Sequence, residues 1–273
     1  MRVVHSPQEL QKLLKAEQGS VGFVPTMGAL HLGHRTLIDT AKKENDITVV
    51  SIFVNPTQFL EGEDLDAYPR KEEADKKICE LSGVDYLFYP TKEAMYGEDE
   101  VTLNAPQVRG YIMEGFSRPG HFSGVLTVVN KLLNIVNPTK AYFGKKDAQQ
   151  LMLIETMVAN LFMDVEIVPM DTVREKDGLA MSSRNIYLDE IEREEALNII
   201  KSLRIATQMI MRKECTSQEI NEAMLEVLNP LVVEYVTIVN RAFKPITKVE
   251  IGNTIILVEA MSGNTRLLDN IWI

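Results

Sequence analysis

Two histidines three residues apart, His31 and His34, follow a short apolar run that ends in Pro25-Thr26-Met27-Gly28. In a helical turn that spacing puts both imidazoles on one face. Imidazoles so placed can donate hydrogen bonds to a phosphate, or a proton to charge developing in a transition state. A bare His-x-x-His is more often a pair of surface residues. Its setting here, a strand feeding a helix with Gly28 and Gly33 in the turn, favours function. Open α/β sheets bind ligands at such carboxyl ends of strands, and the helix start offers N–H groups and partial positive charge to an anion. The two glycines let a nucleotide and the backbone approach closely.

Three more segments carry side chains of matching chemistry. Met181-Ser182-Ser183-Arg184 follows Arg174-Glu175-Lys176-Asp177-Gly178-Leu179-Ala180. Two hydroxyls and a guanidinium make a phosphate clamp, because the arginine fork engages phosphate oxygens bidentately. Taken alone, Ser-Ser-Arg reads as a solvated loop. Gly144-Lys145-Lys146-Asp147-Ala148-Gln149-Gln150 is a second strand-to-helix junction. Adjacent lysines at a helix start oppose the dipole, a cost that a bound anion offsets; a charged helix cap is the bland alternative. In Val54-Asn55-Pro56-Thr57-Gln58-Phe59, Gln58 offers both donors and an acceptor, which suits a hydroxy acid.

Ser117-Arg118-Pro119-Gly120-His121-Phe122-Ser123 adds two potential cations in what reads as a solvated loop tip. The formal net charge of −10 would repel an anionic substrate from the molecule as a whole. Counted together, Arg118, Lys145, Lys146 and Arg184 supply the local positive patch that such a substrate needs.

The elements that must position these groups alternate. Apolar strands are expected at 21–25, 47–54, 86–89, 140–143 and 165–169, and helices at 35–45, 71–82, 125–136 and 148–162. Residues 55–69 and 91–123 read as loops rich in Pro and Gly. Strands alternating with helices predict an α/β chain built on a doubly wound parallel sheet. After about residue 172 the pattern becomes helices at 190–211 and 217–228, then strands at 232–240 and 254–260. That predicts a second, smaller α+β domain, with the division at 1–172 and 173–273.

The acidic balance argues against a nucleic-acid binder. Cys79 and Cys215 form no CxxC pair and have no histidine cluster beside them, so neither a disulfide framework nor a structural zinc is expected. No apolar run approaches bilayer-spanning length, and residues 1–8 lack the apolar core of a secretory signal. The expectation is a cytoplasmic protein with no membrane and no nucleic-acid partner.

His31-Leu32-Gly33-His34 resembles the HIGH motif of the nucleotidyltransferase superfamily, and Met181-Ser182-Ser183-Arg184 looks like its degenerate KMSKS counterpart. Residues 24–34, 53–59, 118–122, 142–147 and 181–185 together resemble the pantothenate synthetase (pantoate–β-alanine ligase) family, as does the tail Gly263-Asn264-Thr265-Arg266-Leu267-Leu268-Asp269-Asn270. The resemblance implies a Rossmann-like sheet with a C-terminal lid, a homodimer, and ligation of pantoate to β-alanine through a pantoyl-adenylate, with ATP and Mg²⁺. Carried over by motif, Met27, Gly28, Ala29, Leu30, His31, Leu32, Gly33 and His34 would bind ATP, with His34 as proton donor and His31 beside it. Gly144, Lys145, Lys146 and Asp147 would contact the nucleotide, Lys146 near the phosphates. Val173, Met181, Ser182, Ser183 and Arg184 would complete the ATP site. Gln58 and Gln150 would hold pantoate, Gln58 also lying near β-alanine. Lys145 stands where many members carry Glu, and the metal ligands stay unassigned.

Three other readings share part of this pattern. An adenylyl- or cytidylyltransferase of phosphate esters would use His31 and His34 without needing Gln58 and Gln150. An aminoacyl-tRNA synthetase fragment is opposed by the negative charge. A catalytically dead scaffold is opposed by His34, Lys146 and Arg184.

Overall fold

A computed structural model describes residues 1–212 and 215–273, which divide into two compact units. The first comprises residues 1–145 and 153–171, the second residues 146–152 and 172–273.

In chain order the elements of the parallel layer are β1 (Arg2–Val4), α1 (Pro7–Leu14), β2 (Val21–Thr26), α2 (Leu32–Glu44), β3 (Ile47–Ile52), α3 (Glu72–Leu81), β4 (Tyr86–Phe88), α4 (Lys92–Met95), α5 (Glu114–Ser117), α6 (His121–Val136), β5 (Lys140–Gly144), α7 (Ala148–Asn160) and β6 (Glu166–Met170). The strands form one parallel sheet in the order β1-β4-β3-β2-β5-β6. From β2 the chain moves outward to β3 and β4, then returns to start again at β5, so the order reverses between β2 and β5. Their ladder pairs only Gly22 with Lys140 and Phe23 with Ala141. Beyond Phe23 the carboxyl end of β2 is not paired with β5, and such a switch point is where open α/β sheets bind ligands.

The apolar runs make these strands because both faces are covered. β3 is buried along its whole length. On one side Val24, Ile38, Ala41, Cys79, Leu87 and Tyr142 form a core between the sheet and α2 and α3. Helices α1 and α6 pack together.

The structure departs from the sequence reading at several elements, and three of these have a clear local cause. The β1–α1 pair has no counterpart there, although Ser6-Pro7-x-Glu9 is a helix-start signature: the Ser6 side chain accepts the Glu9 N–H at 3.3 Å and Pro7 occupies the first turn. Helix α2 begins at Leu32 instead of Arg35, because His31 caps it. Helix α6 begins at His121 instead of Val125, because Gly120, at φ +92°, turns the chain directly into it.

The second unit contains α8 (Glu190–Arg212), α9 (Ser217–Leu228), β7 (Val232–Asn240), β8 (Thr254–Ser262) and β9 (Thr265–Trp272). The strands form an antiparallel sheet with β8 central. Leu203, Ile220, Met224, Val258 and Leu267 lie in its core. The sequence reading lacked β9, which a two-residue Gly263-Asn264 turn joins to β8. Cys79 and Cys215 are both buried, and burial pushes the Cys79 thiol up to about 12. No described helix is long and apolar enough to cross a membrane.

Candidate active site

The turn after β2 is held from inside the protein. Thr26 Oγ1 accepts the Gly28 N–H at 3.2 Å and donates to the Ser51 carbonyl at 2.8 Å. Gly28 has φ +87°, and Ala29 follows at φ +49°, a left-handed conformation costly for a residue with a Cβ. Asp75, reaching from α3, stabilises it: its two carboxylate oxygens accept Ala29 N–H at 2.8 Å and Leu30 N–H at 2.7 Å. Burial pushes this carboxyl above the usual range, and the two N–H bonds pull against that push. A Cβ on Gly28 would stand 3.0 Å from Asp75 Oδ2 and from Ile52, a tight fit added to the strain that φ +87° places on any residue with a Cβ.

The histidines complete the turn. His31 Nδ1 accepts the Gly33 N–H at 3.2 Å, and His34 Nδ1 accepts the His31 N–H at 3.4 Å, a reciprocal cap with the ring centroids 4.1 Å apart. A ring nitrogen that accepts carries no proton, so each neutral imidazole keeps its N–H on Nε2. A helix start of this kind is expected to offer N–H groups to a phosphate. The structure instead engages the N–H groups of Gly28, Ala29, Leu30, His31 and Gly33 internally. The imidazole Nε2–H groups are donors of this turn in addition to its main chain.

Gln58 ends a 3-10 turn, Pro56–Gln58, and is buried. Asn55 Nδ2 donates to Gln58 Oε1 at 3.2 Å, which fixes the flip of the carboxamide. The amide nitrogen then faces Met27 Sδ at 3.0 Å. Asn55 is itself held by Tyr96, whose hydroxyl donates to Asn55 Oδ1 at 2.8 Å. Gln58 thus presents N–H donors beside Met27, the geometry that suits carboxylate and hydroxyl oxygens.

Arg118 does not join a positive patch. It is 7 % exposed and lies between two carboxylates, Glu63 at 2.6 and 2.7 Å and Glu114 at 2.9 Å. Its charge is compensated on the spot. Glu63 keeps its carboxyl below the usual range because the Arg118 bonds outweigh its burial. His121, buried against the same guanidinium, is pushed below the ordinary 6.5 by burial first and by the Arg118 charge as well, against the pull of Glu114 and Glu63. Its folded form refuses a proton that the unfolded chain accepts. As the pH falls through about 6.5 the unfolded state binds more protons, so stability must fall. Urea unfolding at pH 7.5 and 5.5 should show this loss, and His121→Asn should reduce it; an unchanged pH dependence in the variant would refute the assignment.

Lys145 and Lys146 lie in a 3-10 turn, Lys145–Asp147. Lys145 Nζ bonds Asp171 at 2.6 Å and Lys146 Nζ bonds Asp147 at 3.2 Å. The Asp171 carboxylate is well exposed and that of Asp147 partly so, which keeps the contribution of both pairs small. In the second unit Asn270 Nδ2 donates to the Lys146 carbonyl at 2.7 Å, fixing the lysine's main chain, and Trp272 Nε1 donates to Asn270 Oδ1 at 2.8 Å. Gln150 is half-buried on the first turn of α7. Met181 N–H bonds the Val173 carbonyl at 3.0 Å, bringing together two residues expected at the site. Ser182 caps the 3-10 turn Ser183–Tyr187 by accepting the Arg184 N–H at 3.3 Å. Arg174 clasps Asp269 through two bonds of 2.5 and 3.0 Å at the base of this loop.

The profile of the family described as Pantoate-beta-alanine ligase matches residues 2–272. The chain belongs to that family. It is 62 % identical to the pantothenate synthetase of Sulfurimonas denitrificans and 57 % identical to that of Aliarcobacter butzleri, each match covering all of both chains. Among solved structures it resembles the pantothenate synthetase of Thermus thermophilus, with TM-score 0.95 and 40 % identity over 99 % of each chain. It also resembles the pantoate–β-alanine ligase of Francisella tularensis, solved in complex with β-γ ATP and β-alanine, with TM-score 0.82 and 35 % identity over 100 % of this chain and 97 % of that one.

Within this pantoate–β-alanine ligase frame, sequence reasoning missed the supports. Asn55 carried a signal, since Asn-Pro opens a turn and its Oδ1 accepts the Thr57 N–H at 3.4 Å. Asp75 carried none: beside Glu72 and Glu73 it reads as one more solvated acid. Glu63 and Glu114 were equally silent, and Asn270 stood out only as part of the tail that resembles the family.

Proposed function

We propose that this chain joins pantoate to β-alanine at the expense of ATP, giving pantothenate, AMP and pyrophosphate through a pantoyl-adenylate. The observation that carries the reading is full-length membership of the ligase family, in a chain whose two imidazoles each keep an Nε2–H donor while Gln58 beside Met27 presents its amide nitrogen.

In the first step a pantoate carboxylate oxygen bonds to the α-phosphorus and the bond to the β-phosphate oxygen breaks. Charge spreads over phosphate oxygens as it does so, and fixed donors stabilise it without reorganising. His34 and His31 serve here through Nε2–H, with Lys146 and Arg184 on the phosphates and Ser182 and Ser183 beside them. Met27 to Gly33, Gly144, Lys145, Asp147 and Val173 complete the nucleotide contacts. Gln58 and Gln150 hold pantoate by its carboxylate and hydroxyl oxygens. In the second step the neutral amine of β-alanine attacks the acyl carbon, the bond to the AMP oxygen breaks, and the amine sheds a proton. The acyl-adenylate must be shielded from water meanwhile. We assign residues 1–172 to ATP and pantoate binding and residues 173–273 to the lid, in a cytoplasmic homodimer.

No group of three or more His, Cys, Asp or Glu among the described residues could hold a metal. Mg²⁺ would enter with ATP and would offset charge on its phosphates.

The test is isotope exchange. Labelled pyrophosphate should enter ATP when pantoate and Mg²⁺ are present and β-alanine is absent. Exchange that needs pantoate supports the adenylate. Release of ADP during pantothenate formation would reject it in favour of an acyl-phosphate.

A further inference from the structure

Arg118 and His121 are buried and conspicuous in the sequence, yet the proposed chemistry uses neither. Their geometry explains them. A guanidinium has five N–H donors, and Arg118 directs them at five acceptors: Nε and Nη2 to the two oxygens of Glu63, Nη1 to Glu114 and to His121 Nε2, and Nη2 to the Gln58 carbonyl at 3.3 Å. It has no donor left for a phosphate. His121 lies between a group that only donates and a group that only accepts. Its Nε2 takes the Arg118 bond at 3.1 Å, so Nδ1 carries the proton and donates to the Gln58 carbonyl at 2.7 Å. Both side chains thus end on one atom, the main-chain oxygen of Gln58.

A third element presses on the same turn. A Cβ on Gly124, in α6, would overlap the Thr57 carbonyl and stand 2.8 Å from Gln58 Cα. The start of α6 is therefore moulded against the Gln58 backbone, and the Gly124 carbonyl accepts from Asn55 Nδ2 at 3.3 Å. With the carbonyl held by Arg118 and His121, and the side-chain oxygen held by Asn55, the carboxamide N–H direction beside Met27 is fixed at both ends.

We infer that Arg118 and His121 are positioning residues that orient the Gln58 carboxamide toward the acid substrate by gripping its main-chain carbonyl. The inference rests on the ligase reading and gives it a specificity device: an ion cluster that recognises the acid without touching it. Preorganised binding groups depend on such supporting bonds, and losing one hydrogen bond of this kind corresponds to about tenfold in affinity.

The test is a double-mutant cycle in the full-length protein. His121→Leu should raise KM for pantoate by about tenfold while leaving KM for ATP within about twofold. In a Gln58→Ala background the same change should have little further effect, because the group being positioned is gone. His121→Asn keeps a donor near Nδ1 and should recover most of the loss. Should His121→Leu fold poorly, Glu63→Gln, at the solvent-facing end of the cluster, should give the same KM signature at smaller size. A purely structural role would lower the melting temperature without splitting the two KM values. Equal rises in both KM values, or full additivity with Gln58→Ala, would overturn the inference while leaving the ligase reading intact. If the unsubstituted protein forms no pantothenate from pantoate, β-alanine and ATP, the ligase reading falls and the inference falls with it.

Discussion

His34→Ala should lower turnover by about 10²–10⁴-fold, the scale on which a general acid or a charge-stabilising donor contributes. The expectation rests on the tautomer. His34 Nδ1 is engaged as an acceptor by the His31 N–H at 3.4 Å, so the proton sits on Nε2. The alanine variant confounds two effects, because it also removes part of the helix cap, worth about 1 kcal/mol. His34→Asn separates them. An asparagine oxygen can accept the His31 N–H in place of Nδ1 and keep the cap, but nothing reaches the position of Nε2. It should melt near the wild-type temperature and be nearly as inactive as the alanine variant. A well-folded His34→Asn protein with near wild-type turnover would remove the imidazole from the chemistry.

Lys146→Ala should cost about 10²–10³-fold in turnover, as loss of one preorganised donor to transition-state charge does. The present partner of Lys146 is an exposed Asp147 carboxylate at 3.2 Å. Such pairs contribute little, and the lysine's main chain is fixed by Asn270. Single-turnover formation of the adenylate from ATP and pantoate reads the step directly. An effect confined to KM for ATP would make Lys146 a ground-state contact instead.

The layout of the parallel sheet was legible because its strands are short apolar runs with helices between them, as at Val21–Thr26 and Ile47–Ile52. Arg2–Val4 is too short to show a period. Thr265–Trp272 hid because its polar residues point inward: Asp269 and Asn270 are buried, where polar residues are normally read as loop. Their partners, Arg174 and the Lys146 carbonyl, lie 95 and 124 residues away in the chain. The same separation limited the site. Type and spacing singled out His31, His34, Gln58 and Met181–Arg184. They could not reveal that Asp75 would support Ala29 from 46 residues away, or that Glu63 would neutralise Arg118 across 55. Motifs report the groups that meet a ligand. The groups that hold them come from long-range packing, and an acid in a charged helix looks the same in sequence whether it faces water or a backbone amide.

The chain contains a single tryptophan. Trp272 lies beneath the Arg241 guanidinium, 4.3 Å from it, and its indole N–H bonds the same asparagine that grips the Lys146 main chain. All indole emission from this protein therefore originates two hydrogen bonds from the lysine assigned to the phosphates. If Lys146 meets the phosphates as proposed, the molecule carries its own unlabelled optical reporter of nucleotide binding, read by selective excitation of one ring.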